Sequence, residues 1–516
     1  MNMKRKRALI CFFLLSLLFV SSIAQAQEIV WAPQQRITNI PTRQEKPVVT
    51  LDQQDNIHMA WLDNIGMQEL QIVYRKFDKY GAPLTNEIQL TSGTMRSRVN
   101  ELISVDPNGN ILLVYSDSTS IIFRKFNNVG QPLTPEIPVV TNSNHPVPAA
   151  FAVDRNGNVH IVWSEVSGSP SVSVVYYIKL NNDGEIQIPQ TRLNNDAWGS
   201  ESVIAVDQSG NAHILWSNSI NYGVMYTKLD SNGNTLIDDI RLITGVPRAI
   251  LPKIATDQWG DLYAIWIDGY GPDIFYRVFD NNGVPRMPVV RVSNRPVVGI
   301  LDWSQGLVVD SQGNAHVLWQ GYSSPLYNVQ YSKLSNIGNT LIDDTLVSSD
   351  EARSFFSARL AVSRENYAYV VYDDFDSYGQ PTANVDVFFK RQYPNIALTI
   401  NGPPCFGSTV LFNLFSYPGH QYFLLTSLGN APGIPLPPWT LPLNPDPLFW
   451  LSLTAGPALG LEGNIGQLDA RGHAQVPWRV PNIPEIRGLT LYFAFATSNG
   501  GAVTSVSQGL GITLPS

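Results

Sequence analysis

Four of the seven histidines, His58, His160, His213 and His316, each stand six residues after an aspartate, at Asp52, Asp154, Asp207 and Asp310. An imidazole beside a carboxylate is raw material for a zinc site or for acid–base chemistry. The spacing argues against both. Each pair belongs to a separate copy of one repeat, and equivalent positions in successive copies are held apart, so they cannot converge on one ion as tetrahedral ligation requires. The other copies put Leu112, Tyr263 and Tyr369 at that position, which marks it as a structural feature of the repeat. The Asp-x-x-Gly-Asn turns, such as Asp154 to Asn158, carry calcium-ligand residue types, but an aspartate capping its own hairpin explains them without a metal. A better calcium candidate is Asp373, Asp374 and Asp376 before Gly379, although this run lacks the full D-x-D-x-D-G pattern and its terminal Glu. The sequence holds no nucleophile elbow, no HExxH and no phosphate-cradling glycine loop, and no cofactor is expected. Paired carboxylates for glycoside hydrolysis would leave no sequence trace, because their pairing is spatial.

A second constellation is cationic. Arg43, Arg96, Arg98, Arg248 and Arg353 each precede the repeat Asp, or its Ser363 equivalent, by eight to ten residues. They fall where the chain crosses from one unit into the next, with Arg295 in another crossing. Grouped at a channel mouth they would form a positive rim, and a planar guanidinium suits a carboxylate or sulfate. The competing reading pairs them locally with Glu45, Glu101 or Glu351. Tyr222, Tyr270, Tyr322 and Asp373 are expected in loops on the same face.

The repeat that must position these residues is explicit. LDQQDNIHMAW, VDPNGNILLVY, VDRNGNVHIVW, VDQSGNAHILW, TDQWGDLYAIW, VDSQGNAHVLW and VSRENYAYVVY are seven versions of one phrase, 48 to 54 residues apart. Each ends in Trp61, Tyr115, Trp163, Trp216, Trp266, Trp319 or Tyr372. A second phrase follows in each copy, as in YRKFDKYG and YIKLNNDG, and the seventh copy, FFKRQYP, lacks its glycine. Alternating apolar residues and Asp/Asn-Gly turns read as four antiparallel strands per unit. Seven such units predict an all-β, seven-bladed propeller over residues 27–394. The regular turns should lie on one face and the variable loops on the other, where binding usually resides. The five repeated tryptophans should be buried between neighbouring blades. Residues 34–39, with Arg36, Ile37 and Thr38, should supply the seventh blade's missing outer strand by pairing near Val387 to Phe389.

The repeat resembles the blades of secreted bacterial propellers in the broad sialidase-like and Asp-box neighbourhood. It departs from a true Asp-box, since Gly157 and Trp163 lie three and nine residues after Asp154. The resemblance implies fold and export rather than sialidase chemistry. Residues 395–516 carry few charges and read as a compact antiparallel β-sandwich, similar to the C-terminal appendages of exported bacterial proteins. No stretch after the leader shows helical periodicity.

The N-terminus has Lys4, Arg5, Lys6 and Arg7, then an apolar run, then Ala24-Gln25-Ala26, the pattern of a signal peptide (residues 1–26) cleaved after Ala26. Cleavage would remove four of the 34 basic residues and none of the 42 acidic ones, moving the net charge from −8 to −12. That excludes nucleic-acid binding by bulk charge. No further stretch is long and apolar enough to span a membrane. The leader also removes Cys11 and leaves Cys405 single. The expected location is secreted, cell-surface or periplasmic. The expected function is non-catalytic binding or adhesion toward an anionic glycan or a cell-surface or extracellular protein. The alternative is a sialidase-like or other polysaccharide-processing enzyme with its site at the channel mouth.

Overall fold

The computed structural model describes residues 31–515, apart from 32–33, 39–42, 67–68, 80, 92–101, 117–118, 142, 144–146, 168–171, 197, 219, 221, 245–247, 270–272, 294–305, 324–325, 349–356, 376–384, 393–396, 402–403, 417–418, 438, 470–472 and 508. The chain divides between Arg391 and Gln392 into two compact units.

Among the described residues, the first unit holds seven four-stranded antiparallel sheets. In the third, strands Val147–Val153, Val159–Ser167, Val172–Leu180 and Ile186–Arg192 pair in chain order. The first strands of successive sheets lie beside one another, and that of the seventh, Ala358–Val362, lies beside that of the first, Arg43–Leu51. The sheets therefore close into a ring with their first strands innermost, an arrangement that fits a propeller.

Two repeated devices build each sheet. The turn from first to second strand is fixed by its aspartate. Asp154 Oδ1 accepts the backbone N–H groups of Asn156 and Asn158, both at 2.9 Å, and Oδ2 accepts from the Asn158 amide at 2.8 Å. Asp52, Asp106, Asp207 and Asp310 do the same. At the end of the outer strand a hydroxyl or amide oxygen reaches back to the third strand. Asn194 takes the N–H of Val175, Ser293 that of Ile274 and Ser348 that of Val329. The tryptophans Trp61, Trp163, Trp216, Trp266 and Trp319 are all fully buried, as their shared register leads one to expect.

The seventh sheet draws its outer strand from the other end of the unit. Gln35 and Arg36 pair with Phe389 and Phe388, and the Ile37 N–H donates to the Val387 carbonyl at 2.8 Å. Thr38 accepts the N–H of Val387 at 2.9 Å, the same role that Asn194, Ser293 and Ser348 play elsewhere. Arg36 is ion-paired with the buried Asp386, to which Thr38 also donates. Trp31 completes the substitution. In the other units the glycine of the outer turn packs on the preceding sheet, as Gly130 does on Ile88 and Tyr74, and Gly283 on Leu242 and Tyr226. The seventh sheet has no such glycine, and Trp31 meets Tyr331 edge-on with ring centroids 5.3 Å apart.

The second unit contains a three-stranded sheet (Ala397–Asn401, Thr409–Phe415, His473–Arg479) and a five-stranded one centred on Gln421–Ser427 and Thr490–Asn499. They share a core around Phe412, Leu414, Trp478, Leu424, Phe493 and Phe495. A helix, α1 (Pro447–Ala455), departs from the expectation of a purely β chain. Its residues PLFWLSLTA are apolar nearly all round, so no periodicity betrays it. Its signal is the cap: Asp446 accepts the Phe449 N–H at 2.9 Å, with Pro447 following at the first helical position. Among the described residues no helix is long and apolar enough to cross a membrane.

Candidate functional site

The histidines form buried relays inside the sheets. His316 Nε2 lies 3.2 Å from Asp310 Oδ2, and Nδ1 lies 2.8 Å from the Tyr331 hydroxyl. A carboxylate only accepts, so Nε2 carries the proton and Tyr331 donates to Nδ1. His58, His160 and His213 repeat this with Asp52 and Tyr74, Asp154 and Tyr177, and Asp207 and Tyr226. Lys333 and Lys76 approach the same aspartates at 2.7 and 3.0 Å. Burial drives the four imidazoles down, His316 to about 4, against the pull of their aspartates. Burial would raise the aspartates, but hydrogen bonds from His and Asn, joined by Lys at Asp52 and Asp310, hold all four well below the usual carboxylate range. The groups resemble an acid–base triad, yet all four relay histidines are fully buried. The second sheet confirms a packing role: where Leu112 replaces histidine, Phe123 replaces the tyrosine, so acceptor and hydroxyl vanish together.

The calcium candidate is not a shared site. Asp373 and Asp374 are consecutive residues of one strand, Ala368–Phe375, and so point to opposite faces of the sheet. Asp373 is buried within that strand rather than in a loop. It accepts the N–H groups of Lys46 at 2.8 Å and Ser357 at 2.7 Å, tying the last sheet to the first. Asp376 lies outside the described residues, as do Arg96, Arg98, Arg295, Arg353 and Tyr270. Among the described residues no group of three His, Cys, Asp or Glu could hold a metal.

Two of the five rim arginines are described. Arg43 pairs with Glu45 at 2.9 Å through its Nε, the local reading. Tyr322 belongs to the second strand of its sheet, opposite Tyr327, rather than to a loop. The Arg248 guanidinium lies over the Tyr222 ring, 4.5 Å from the centroid. The backbone holds the two together. The Ala249 N–H donates to the Tyr222 carbonyl at 2.8 Å, and the Gly269 N–H donates to the Arg248 carbonyl at 2.9 Å. Gly269 also makes room, because a Cβ there would collide with Cδ of Arg248. Beneath the pair, the Leu251 N–H is held by Glu201 and Ser217, both at 3.1 Å. Tyr222 is 38% exposed and sits at φ +47°, a left-handed conformation that costs a non-glycine residue about 1–3 kcal/mol. A strained, exposed tyrosine under an arginine, at the variable end of a rigid sheet, can stack on a planar group and present charge to an anion.

In the first unit sequence reasoning passed over an exposed indole, Trp259. Its signal was present: the third position of the Asp-x-x-Gly turn is Gln54, Asn108, Asn156, Ser209 and Gln312 in other units, and tryptophan only here.

No family model matches the sequence, and no curated protein does either. Solved structures do. A protein of unknown function from Dyadobacter fermentans DSM 18053 is 10% identical, covering 70% of this chain and 98% of its own, with a TM-score of 0.43. The polysaccharide lyase Uly1 is 9% identical over 72% of this chain and 95% of its own, with a TM-score of 0.43. An ulvan lyase of polysaccharide lyase family PL25 is 10% identical over 68% and 95%, with a TM-score of 0.44.

Proposed function

We propose that this chain is an exported, non-catalytic binding protein: a seven-bladed propeller that presents its variable face to an anionic glycan, followed by a β-sandwich. The reading rests on the Arg248–Tyr222 pair. A guanidinium stacked on an exposed ring, held by backbone hydrogen bonds at Tyr222, Ala249 and Gly269 and given space by Gly269, is preorganised for a uronate or sulfate ester flanking a sugar face. The perturbed acid–base groups that enzymes place in clefts fall, among the described residues, chiefly in the buried relays. That favours binding over the polysaccharide-processing alternative. The signal peptide and cleavage after Ala26 belong to this proposal, as does the extracellular or periplasmic location.

The test is an array of sulfated and uronate-containing polysaccharides probed with the mature protein, with product analysis on each hit. Arg248→Ala and Tyr222→Ala should each weaken binding at least tenfold, about 1.4 kcal/mol, and binding should fall as salt rises. Chain shortening of a bound polysaccharide would replace this reading with the enzymatic one.

A further inference from the structure

We propose a second ligand site on the opposite face, where Trp259 forms the floor of a platform for neutral sugar rings. Among the described residues of the first unit, Trp259 is the exposed indole, at 62%, whereas the repeated tryptophans are fully buried. It stands in the regular turn of the fifth sheet, so it does not belong to the variable loops. Five other units carry Gln, Asn or Ser at this position, which shows that the turn itself needs only a polar residue. The hairpin does not require an indole there, since its aspartate cap is the same with Gln, Asn or Ser at this position.

The platform is rigid. The backbone N–H of Trp259 donates to Asp257 Oδ1 at 2.9 Å, which fixes the turn that carries the indole. Its ring edge, Cζ3, lies 3.4 Å from where a Cβ of Gly313 would stand, so the indole spreads over the bare backbone of the next turn. That turn is stitched to the fifth sheet. Gln258 donates to the Ser311 carbonyl at 3.3 Å, and Tyr263, which replaces the relay histidine here, donates to the Gly313 carbonyl at 2.9 Å. The replacement that breaks the relay in this unit thus anchors the ground beneath the indole.

The surroundings decide the class of ligand. Gln312 adjoins Gly313 in the chain, and the Asn336 amide lies 3.9 Å from the same Cβ position. The nearby charges Asp261 and Arg286 are paired with each other at 2.7 Å. A flat aromatic surface with amide donors and acceptors at its border matches the apolar C–H face of a pyranose with its equatorial hydroxyls. A protein partner would call for a broader apolar patch, and an anion for an uncommitted cation.

The test uses the mature full chain with cello-, xylo-, manno- and laminarihexaose as probes, read by calorimetry and tryptophan emission. At least one hexasaccharide should bind and perturb the emission. Trp259→Gln restores the polar residue of the repeat, so the fold is kept, and it should weaken binding at least tenfold. Trp259→Tyr should retain part of the affinity, and Arg248→Ala with Tyr222→Ala should leave it unchanged. Failure of all four probes to bind at ~10 mM, or equal affinity in Trp259→Gln, overturns the site. Loss of binding in the Arg248 and Tyr222 variants instead would also overturn it and assign the sugar to the variable face.

Discussion

Acid should loosen the ring through its relay histidines before their partner aspartates titrate. Each relay histidine is neutral in the folded state, with its pKa pushed below the ordinary 6.5 by burial. Between the folded and unfolded values the unfolded chain binds more protons, so stability is complete above about pH 6.5 and is lost as pH falls toward the folded pKa. For His316, from 6.5 to about 4, the full loss is about 3 kcal/mol, of which about 2 kcal/mol is reached by pH 5. The aspartates are depressed and remain charged through this range, contributing stability that is lost only at lower pH. The groups facing His316 are Asp310, Tyr331 and Lys333. The assay is urea unfolding at pH 8, 7, 6 and 5, followed by tryptophan emission. The double variant His316→Leu with Tyr331→Phe copies the pair that the second sheet already uses, Leu112 and Phe123. Asp310 keeps Lys333 and Asn314 as donors. Between pH 7.5 and 5 the double variant should lose about 2 kcal/mol less than the parent. An identical pH slope in both proteins would refute the assignment of a neutral, buried imidazole.

Trp163→Ala or Trp216→Ala should each cost about 3–5 kcal/mol in equilibrium unfolding, because both indoles are fully buried; a near-neutral result would contradict inter-sheet packing. Asp386→Ala removes the partner of Arg36 and Thr38 and should cost about 2–3 kcal/mol and expose the outer edge of the last sheet to proteolysis. Gly269→Ala should displace Arg248 from the Tyr222 ring and lower anionic-glycan binding at least tenfold, about 1.4 kcal/mol, with little change in thermal stability. Tyr222→Gly should relieve the left-handed strain and raise stability by about 1 kcal/mol while abolishing that binding.

Most of the ring was legible because its units speak in periods. Asp and Gly at fixed offsets announce turns, alternation announces strands, and the absent glycine in FFKRQYP announces a sheet that must borrow its last strand. What the sequence hid were pairings without a period. That Arg43 is spoken for by Glu45 depends on one side-chain distance. That Asp373 clamps Lys46, 327 residues away in sequence, depends on ring closure itself. Trp31 could not be read as a plug before it was known that a turn glycine occupies the same place in the other units. The helix α1 escaped because an all-apolar helix has no face to count.

Repeats offer a test that single sequences lack: a departure from the shared phrase is either compensated nearby or it is not. Leu112 is compensated by Phe123, so nothing is left over, and the change is one of packing. Tyr263 is compensated through new bonds to Asp257 and Gly313. Ser363 replaces the turn aspartate, and its hydroxyl still accepts the Tyr367 N–H at 3.1 Å. Trp259 and Tyr222 are different. The turn around Trp259 keeps its aspartate cap unchanged, and the strain at Tyr222 is borne with its ring partly in solvent. Each carries a local cost and leaves an aromatic face in solvent beyond its contact with Arg248 or the Gly313 turn. Such uncompensated costs persist where a ligand supplies the return, which is why these two aromatics, on opposite faces of the same rigid ring, are the positions at which binding should be sought first.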